Sequence, residues 1–464
     1  MLIRWATEND LPAWYALATE VSKLFQHPAD MGAELKANAS GKGSISRYEM
    51  LTAVDYTSGN NMGFIFFSRE KNEITWFAVS EKYRGKGVGG RLLKTALRQL
   101  DTSKDITVCT FCEDYHQGAA ARTIYKKYGF TKEKPAGHNG QPRVEMTCPA
   151  SVEAELYLFT EQINNWDDWG NIFQSIPAFT PLVEHIFLNE KMPLTKIENL
   201  TPGSNAVFKV GDYVIKIFAP QGMGEDYGTN VDVELFGMKL ANTNGVPAPK
   251  LIADGEVSDK YLFRYMIMEY INGKTLIEIE DNLSYDDKVS IGKQIRSISN
   301  KLNKPCGNFT SIDVMQYAKD NNGWAKEGFP APFLEEILAY LADFNINQYK
   351  KVYCHGDWTC ENILVDDKLN VYIIDFADAM YAPAEYETVY IASGLFCFEK
   401  PYMAGYFGDY DVGEIVNLCM TWLPVHAWGH ATTAGNLGSV DEITSFAIMR
   451  ERLYELVEMK KNIH

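Results

Sequence analysis

Two repeating patterns of apolar and polar positions alternate along the first 150 residues. Runs rich in β-branched and aromatic residues predict strands at Leu2–Ala6, Gly63–Ser68 and Ile74–Val79, and a polar turn joins the last two as an antiparallel hairpin. Apolar residues at helical spacing predict helices over Ala13–Phe25 and Arg91–Leu100. The second hairpin strand therefore leads through a glycine-rich turn into a helix.

The pattern changes beyond residue 150. An aromatic, acidic stretch over Val152–Phe173 predicts a helical connector, and short strands follow at Ala206–Val210 and Tyr213–Phe218. A helix around Val233–Asn242 and a strand at Tyr265–Tyr270 come next, and from Ser284 onward the pattern is mainly helical. Part of the chain after the connector is thus predicted to be β-rich and the rest helical.

Composition places the chain among globular proteins of several domains. It has 464 residues, of which 46% are hydrophobic and 23% charged, enough to bury more than one core. Eight scattered cysteines do not form a disulfide framework, and a reducing cytoplasm is expected. Because we find neither a leader pattern nor an apolar run long enough to span a bilayer, we expect no export and no membrane insertion.

The charge is distributed unevenly. The chain carries 44 basic and 61 acidic residues, a net charge of −17, which argues against a general nucleic-acid binder. Residues 1–150 hold 20 of the basic and 16 of the acidic residues, so the remainder has a balance of −21. We expect the two parts to bind different kinds of molecule.

A glycine-rich loop lies between the predicted hairpin strand and the helix that follows it. The loop runs from Val79 through Arg84-Gly85-Lys86-Gly87-Val88-Gly89. Backbone N–H groups at a helix start converge on an anion, and glycine removes the Cβ atoms that block close approach. An isolated motif of this kind would more often be an ordinary strand-to-helix turn.

A second motif, Ala120-Ala121-Arg122-Thr123-Ile124-Tyr125-Lys126-Lys127-Tyr128-Gly129-Phe130, follows one predicted helix and one strand later. Together the two motifs resemble the GNAT acetyltransferase family over residues 1–148. The resemblance implies that the segment from Val79 to Gly89 binds the pyrophosphate of acetyl-CoA. It also implies that Tyr125 protonates the leaving thiolate, which suits a phenol that is protonated at neutral pH.

The general base of this domain is less well specified by sequence. Glu73 begins its predicted strand at the place where histone-type members of the family carry a catalytic glutamate, and a solvent-facing turn glutamate is an equally weighted alternative. Gly118 stands where the family often has asparagine, so contacts at the cofactor edge are expected to differ. Cys109 and Cys112 form a single CxxC, which we interpret as structural thiols.

A different constellation follows residue 350. The segment His355-Gly356-Asp357-Trp358-Thr359-Cys360-Glu361-Asn362 lies between apolar strands, and Asp375 closes the next apolar run. Phosphoryl transfer needs a carboxylate to orient the acceptor hydroxyl and oxygen ligands to hold Mg²⁺. Asp357 suits the first role, while Asn362 and Asp375 suit the second. The five-residue spacing from Asp357 to Asn362 equals that of the protein-kinase catalytic loop.

Because HGD replaces HRD, and Asp375-Phe376-Ala377-Asp378 replaces DFG, the resemblance is to the aminoglycoside phosphotransferase branch of the kinase-like fold. Asp378–Met380 and Glu385–Glu387 look like the hygromycin kinase group. The resemblance implies nucleotide contacts further upstream, over residues 181–272. They are the covering loop at Ser204, the phosphate-binding lysine Lys216, its helix partner Glu234, and the hinge at Glu269 and Ile271.

Two C-terminal features have plainer interpretations. His426 and His430 could share a helix face, but no glutamate follows His426, so we interpret them as packing or substrate-wall residues. The aromatic residues Trp422, Trp428, Phe396 and Phe398 are predicted to form helical core.

The sequence therefore predicts an α/β and α+β chain. A GNAT domain with a mixed, mostly antiparallel sheet occupies residues 1–148, a helical connector 149–180, and a bilobal protein-kinase-like domain 181–464. Within the last, the β-rich N-lobe spans 181–272 and the helical C-lobe 273–464.

The expected cofactors are acetyl-CoA, ATP or GTP, and Mg²⁺. The leading hypothesis is a bifunctional N-acetyltransferase and O-phosphotransferase acting on a small hydroxylated cation such as an aminoglycoside. A monomer is favoured, and the oligomeric state is left open. A metabolic enzyme acting on an endogenous amine or amino sugar is the alternative, and a chain in which one half only binds is the third.

Overall fold

A computed structural model of the chain describes residues 1–22, 43–138, 141–150, 157–201, 203–220, 231–306 and 313–462. The chain forms two compact units. The first contains Met1–Gly224 and Gly255–Tyr265, and the second contains Glu225–Asp254 and Met266–His464. The fold is mixed α/β, with sheets in the N-terminal part and mainly helices towards the C terminus. The predicted domain boundaries at 148 and 180 stay a prediction.

The first unit contains a seven-stranded sheet with the order β1-β2-β3-β4-β5-β7-β6. The β4–β5 pair is parallel, and the other pairs are antiparallel. The β3–β4 hairpin predicted from sequence is present, and the strands are β1 (Leu2–Trp5), β2 (Met50–Val54), β3 (Asn61–Ser68), β4 (Glu73–Val79), β5 (Ile106–Phe111), β6 (Lys132–His138) and β7 (Gln141–Cys148).

Helices cover both faces of this sheet. Helix α1 (Leu11–Ser22) packs Trp14 against Phe64 and Phe66 on one face. On the other face, α2 (Val88–Leu97) and α3 (Ala119–Lys127) enclose the larger core, which is built on Leu92, Leu93 and Ala96 of α2 together with Ile65 and Phe67 of β3. The end of the predicted first helix, at residues 23–25, lies outside the described residues.

The connector differs from its prediction as one helix. Residues 152–156 lie outside the described residues, 157–165 are not helical, and helices occur at α4 (Trp166–Ile172) and α5 (Ile176–Asn189). The backbone N–H groups of Leu158 and Phe159 donate to the carboxylate of Asp259 instead of to helix carbonyls. Asn165 then caps α4 by accepting from the N–H of Asp168 at 2.9 Å.

A second sheet has five strands in the order β11-β12-β10-β9-β8. Its outer strand β8 pairs with β9, and the β9–β10 hairpin places Lys216 opposite Val207. The strands are β8 (Ile197–Asn199), β9 (Ala206–Val210), β10 (Tyr213–Ile217), β11 (Leu251–Ser258) and β12 (Leu262–Glu269). The predicted helix around Val233–Asn242 is present as α6 (Val231–Thr243).

Short strands form two small sheets in the second unit, β13-β15-β16 and β14-β17. These strands are β13 (Gly273–Thr275), β14 (Lys351–Cys354), β15 (Ile363–Asp366), β16 (Val371–Ile373) and β17 (Met380–Pro383). The helices are α7 (Leu276–Ile279), α8 (Tyr285–Leu302), α9 (Val314–Asp320), α10 (Gly323–Lys326), α11 (Ala331–Asp343), α12 (Ala384–Tyr390), α13 (Lys400–Phe407), α14 (Val412–Trp422), α15 (Gly429–Leu437) and α16 (Phe446–Asn462).

The C-terminal aromatic residues differ in part from their prediction. Trp422, Phe396 and Phe398 are buried as expected, but the side chain of Trp428 is 51% exposed. Trp428 is the N-cap residue just before α15, so it lies at a helix end and not within a helix. His426 also precedes α15, so His426 and His430 do not share a helix face.

Among the described ranges, every helix is either too short or too polar to cross a bilayer.

Candidate active sites

The glycine loop of the first unit has the conformation that its sequence predicts. Gly85 and Gly87 have φ values of +74° and +81°, a region that side chains with a Cβ rarely adopt. Gly87 caps α2, and the N–H of Arg91 donates to its carbonyl oxygen at 3.1 Å. The Nε of Arg84 donates to the carbonyl of Val79 at 3.0 Å, which ties the loop to the end of β4. The glycine loop therefore leads directly into the N-terminus of α2.

Strands β4 and β5 separate next to this loop. Their parallel register includes Glu73 with Thr107 and Ile74 with Val108 and extends no further among the described residues. On the other side of β4, Phe66 of β3 pairs with Trp76 and Phe67 pairs with Ile74. Thr75 is therefore an extra residue on β4, which makes a β-bulge. Within the described part of the chain, β4 is not paired with β5 beyond Ile74, so the sheet is open next to Phe77.

Tyr125 lies beside this opening. Its ring centroid is 6.1 Å from that of Phe77 and 5.5 Å from that of Phe130, and its side chain is buried. Burial raises the pKa of the Tyr125 phenol above its usual value, and the nearby Cys109 thiol adds to the rise. The phenol is therefore protonated at neutral pH, as a proton donor must be.

Glu73 and Tyr125 both lie near Cys109 of β5. Burial, and with it the charge of Glu73, raises the pKa of the Cys109 thiol, and burial together with Cys109 raises the pKa of Tyr125. Glu73 begins β4, four residues before Phe77. Its carboxylate lies 3.7 Å from the ammonium of Lys71.

Close packing explains why residue 118 is glycine and not the asparagine often found in the family. A Cβ atom built there would lie 2.5 Å from the Cβ of Phe111, so this position has no room for an asparagine side chain. The neighbouring Arg122 is buried, and its guanidinium donates to the carbonyl of Phe111 at 3.0 Å. The end of β5 is therefore held by α3 without an asparagine.

In the second unit, Asp357 and Asn362 are in direct contact. The Nδ2 of Asn362 donates to Oδ2 of Asp357 at 2.7 Å and to the Asp357 carbonyl at 3.1 Å. This contact fixes the carboxylate and turns the amide oxygen of Asn362 away from it. The five-residue spacing predicted from sequence thus brings the base candidate and the first metal-ligand candidate together.

Burial raises the pKa of the Asp357 carboxyl to about 6, and the nearby charges of Asp378 and Asp375 add to the rise. Asp375 has a φ of +63°, a left-handed conformation that is unusual outside glycine. Such backbone strain is retained where surrounding structure imposes it, often at functional sites. The charges of Asp375 and Asp378 therefore act on the carboxylate of Asp357.

His355 connects the loop to the strand that delivers Asp375. Its Nδ1 accepts from the N–H of Asp357 at 3.3 Å, so the proton of the neutral ring is on Nε2, which donates to the carbonyl of Ile374 at 3.1 Å. Burial lowers the pKa of the His355 imidazole to about 4, which keeps the ring neutral. His355 therefore fixes the geometry of the loop and does not supply charge.

Gly356 has a φ of +88°, and a Cβ built on it would lie 2.0 Å from the carbonyl oxygen of Asp378. The close approach of these two backbone segments explains why glycine occupies the centre of the HGD motif.

Glu387 of α12 supports the HGD loop, a role that is not predicted from the sequence. Its carboxylate is buried and accepts hydrogen bonds from the N–H of His355 at 2.7 Å, the indole of Trp358, and the Nδ2 of Asn303 at 2.6 Å. Burial raises the pKa of Glu387, although these donors oppose the rise. Its helix also carries Glu385 and Thr388, so the sequence pattern gave no signal that singles out Glu387.

The predicted nucleotide residues belong to both units. In the first unit, Lys216 is buried on β10 with its ammonium 5.6 Å from the ring centre of Phe218, and the carbonyl of Ser204 accepts from the indole of Trp169 at 2.8 Å. In the second, Glu234 is buried on α6, and Glu269 ends β12. The N–H of Gly273 donates to the carbonyl of Ile271 at 3.0 Å. Pro202 of the predicted covering loop lies outside the described residues.

Two family models match the chain, one in each of the two predicted transferase domains. Residues 47–132 match the family model described as "Acetyltransferase (GNAT) domain", and residues 201–416 match "Phosphotransferase enzyme family". The chain therefore contains an acetyltransferase domain of the GNAT family followed by a domain of the phosphotransferase enzyme family. It is an enzyme with two transferase domains.

A comparison with curated proteins gives no match. Among solved structures, the chain is similar to the GDP complex of aminoglycoside 2'-phosphotransferase-IIIa, with 18% identity, a TM-score of 0.41, and coverage of 62% of this chain and 99% of that one. It is also similar to a choline/ethanolamine kinase family protein from Mesorhizobium loti, with 17% identity, a TM-score of 0.37, and coverage of 58% and 88%.

Proposed function

We propose that the protein is a bifunctional transferase, an acetyl-CoA-dependent N-acetyltransferase joined to a Mg-nucleotide-dependent O-phosphotransferase. The proposed acceptor is a small, hydroxylated, cationic molecule such as an aminoglycoside. The observation that carries the phosphotransferase part is the contact between Asp357 and Asn362, with Asp375 and Asp378 near enough to raise the pKa of the Asp357 carboxyl. As the sequence predicts, we place its activity in a reducing cytoplasm.

The donor set of this site fits Mg²⁺. Asn362 and Asp375 would hold the ion through an amide oxygen and a carboxylate, which are ligands that hard cations prefer. When bound, Mg²⁺ supplies charge neutralisation on the nucleotide phosphates. The clustered acidic groups that raise the pKa of Asp357 indicate an excess of negative charge that a divalent cation offsets.

Asp357 is the proposed catalytic base. Its carboxylate would accept a hydrogen bond from the acceptor hydroxyl and take its proton as the oxygen attacks phosphorus. The hydrogen bond from Asn362 holds this carboxylate in one orientation. Lys216 and Ser204 are proposed to contact the nucleotide phosphates, Glu234 to orient the lysine, and the backbone at Glu269 and Ile271 to contact the base.

The glycine cradle of the first unit fits acetyl-CoA. Arg84 and Lys86 carry positive charge on the exposed loop, and the absence of side chains at Gly85 and Gly87 leaves the backbone there open to an anion. The missing side chain at Gly89 instead makes room for Phe77 and Ile124. Acetyl-CoA supplies the activated acyl group when bound. Tyr125 would donate its phenolic proton to the departing sulfur, and Glu73 would act as the general base for the attacking amine.

The charge of the chain supports a cationic acceptor. Residues 151–464 have a balance of −21, and an acidic protein attracts protonated amines.

The test is an acceptor panel with purified full-length protein. Release of nucleoside diphosphate from ATP or GTP with Mg²⁺, and release of free coenzyme A thiol from acetyl-CoA, are measured across aminoglycosides, amino sugars and simple amino-alcohols. We expect an aminoglycoside to stimulate both reactions. Turnover with an endogenous amine or amino sugar alone would replace the proposed acceptor with a metabolic one, and silence in both assays across the panel would contradict the proposal.

A further inference from the structure

One face of helix α2, which begins at the glycine loop, is held by residues from outside the predicted acetyltransferase domain. Arg91, Lys94 and Arg98 project from successive turns of the same face. Each donates to a group that belongs to residues 157–259. Burial lowers the pKa of Lys94 and of Arg98, so both cations are partly removed from water and gain from their partners.

At the loop end of α2 the partner is Glu184 of α5. Its side chain is 2% exposed, and it accepts hydrogen bonds from Nη2 of Arg91 at 2.8 and 2.7 Å and from the N–H of Ile3 at 2.7 Å. Arg91 lies in the first turn of α2, where its own N–H donates to Gly87. The ion pair therefore acts one turn from the loop that is proposed to bind pyrophosphate.

At the other end of α2 the partner is Asp259, in the turn between β11 and β12. Its side chain is fully buried and accepts from Nη1 of Arg98 at 3.0 Å. The N–H groups of Leu158 and Phe159, each at 2.9 Å, complete its hydrogen bonds. Between the two carboxylates, Lys94 donates to the carbonyl of Tyr157.

We propose that Glu184 and Asp259 are positioning residues for acetyl transfer. They hold helix α2, and with it the loop from Arg84 to Gly89, at the place on the sheet where its N–H groups meet the cofactor. A buried carboxylate with several donors fixes a helix more firmly than an exposed ion pair, because it has no alternative partner in water. The predicted acetyltransferase domain, residues 1–148, is thus incomplete without the segment that follows it.

This inference rests on the proposed binding of acetyl-CoA, and the experiment separates the two. The affinity of the full-length protein for acetyl-CoA is measured by calorimetry, together with KM and kcat for acetyl transfer and with the rate of nucleoside-diphosphate release. The variants are Glu184→Gln and Asp259→Asn, which keep side-chain size and remove charge. Glu198→Gln is the matched control, since Glu198 pairs with Lys196 on the exposed surface of β8.

We expect Glu184→Gln to weaken acetyl-CoA binding about tenfold, the effect of losing one charged hydrogen bond. KM should rise by the same factor, with kcat and nucleoside-diphosphate release within about twofold of wild type. Asp259→Asn should act in the same direction and serves if Glu184→Gln does not fold. The double variant Arg91→Gln with Glu184→Gln should recover part of the affinity, because two amides can bond to each other.

Unchanged affinity in both single variants would overturn this inference and leave the proposed function intact. Equal losses in Glu198→Gln would also overturn it. Absence of acetyl-CoA binding by the wild-type protein would overturn the proposed acetyltransferase function and this inference with it.

Discussion

The carboxylate of Glu387 accepts a hydrogen bond from the backbone N–H of His355 at 2.7 Å. The two residues are 32 positions apart, and the contact holds the first residue of the HGD loop against helix α12. The indole of Trp358, from the same loop, donates to the same oxygen atom of Glu387. The orientation of Asp357 thus depends on a buried carboxylate that does not itself reach the proposed reaction centre.

Replacing Glu387 tests this dependence. Glu387→Gln puts an amide NH₂ group where every neighbour is a donor, leaving at least one buried group unsatisfied. We expect a loss of about 2 kcal/mol in the free energy of unfolding and a lower kcat for phosphoryl transfer with little change in nucleotide affinity. Chemical denaturation and nucleoside-diphosphate release measure these two effects. Wild-type kcat in a folded variant would contradict the positioning role.

Asp375 offers a test of the metal site. Asn is the substitution of choice, because asparagine tolerates the left-handed conformation found at this position. Asp375→Asn removes the charge of the proposed Mg²⁺ ligand, so a higher Mg²⁺ concentration should be needed for half-maximal activity. Titration of activity against Mg²⁺ at saturating nucleotide gives the shift. An unchanged Mg²⁺ dependence would remove Asp375 from the metal site.

Gly356 should not tolerate a side chain. Gly356→Ala combines a φ of +88° with a Cβ that meets the carbonyl of Asp378 at 2.0 Å, so we expect a loss of at least about 2 kcal/mol in stability. Gly435→Ala is the control, since nothing lies within 4 Å of a Cβ there and its φ is not positive. Thermal unfolding should show a lower Tm for the first variant alone. Similar Tm values for the two would contradict the described loop geometry.

Tyr125 provides the corresponding test for the acetyltransferase site. Tyr125→Phe keeps the packing against Phe77 and Phe130 and removes the proposed proton donor. Acetyl transfer should fall about 10²-fold while acetyl-CoA affinity is retained. Tyr56→Phe, at a position with a 55% exposed side chain, should leave both unchanged. A wild-type rate in Tyr125→Phe would assign the proton to another group.

Features with local causes could be predicted from the sequence. The β4 strand, glycine loop and α2 helix follow one another along the chain, and the contact between Asp357 and Asn362 spans only five residues. Alternation, helical spacing and glycine positions are sufficient for elements of this kind.

Features that depend on distant partners could not be predicted. Asp259 contacts Arg98 across 161 positions and Glu184 contacts Arg91 across 93, and no periodicity identifies such pairs. The same long-range hydrogen bonds to Asp259 explain why the connector near Leu158 is not the predicted helix. Exposure at single positions was also missed, since Trp428 is predicted as helical core yet its side chain is 51% exposed.

The most direct test of the central claim is acceptor-dependent release of nucleoside diphosphate by the wild-type protein and by Asp357→Asn, with nucleotide affinity measured on both. Asp357→Asn keeps the shape of the side chain and removes its ability to take a proton. We predict that kcat falls by about 10²–10⁴-fold with nucleotide affinity unchanged. Turnover at the wild-type rate in the Asp357→Asn variant would contradict the account.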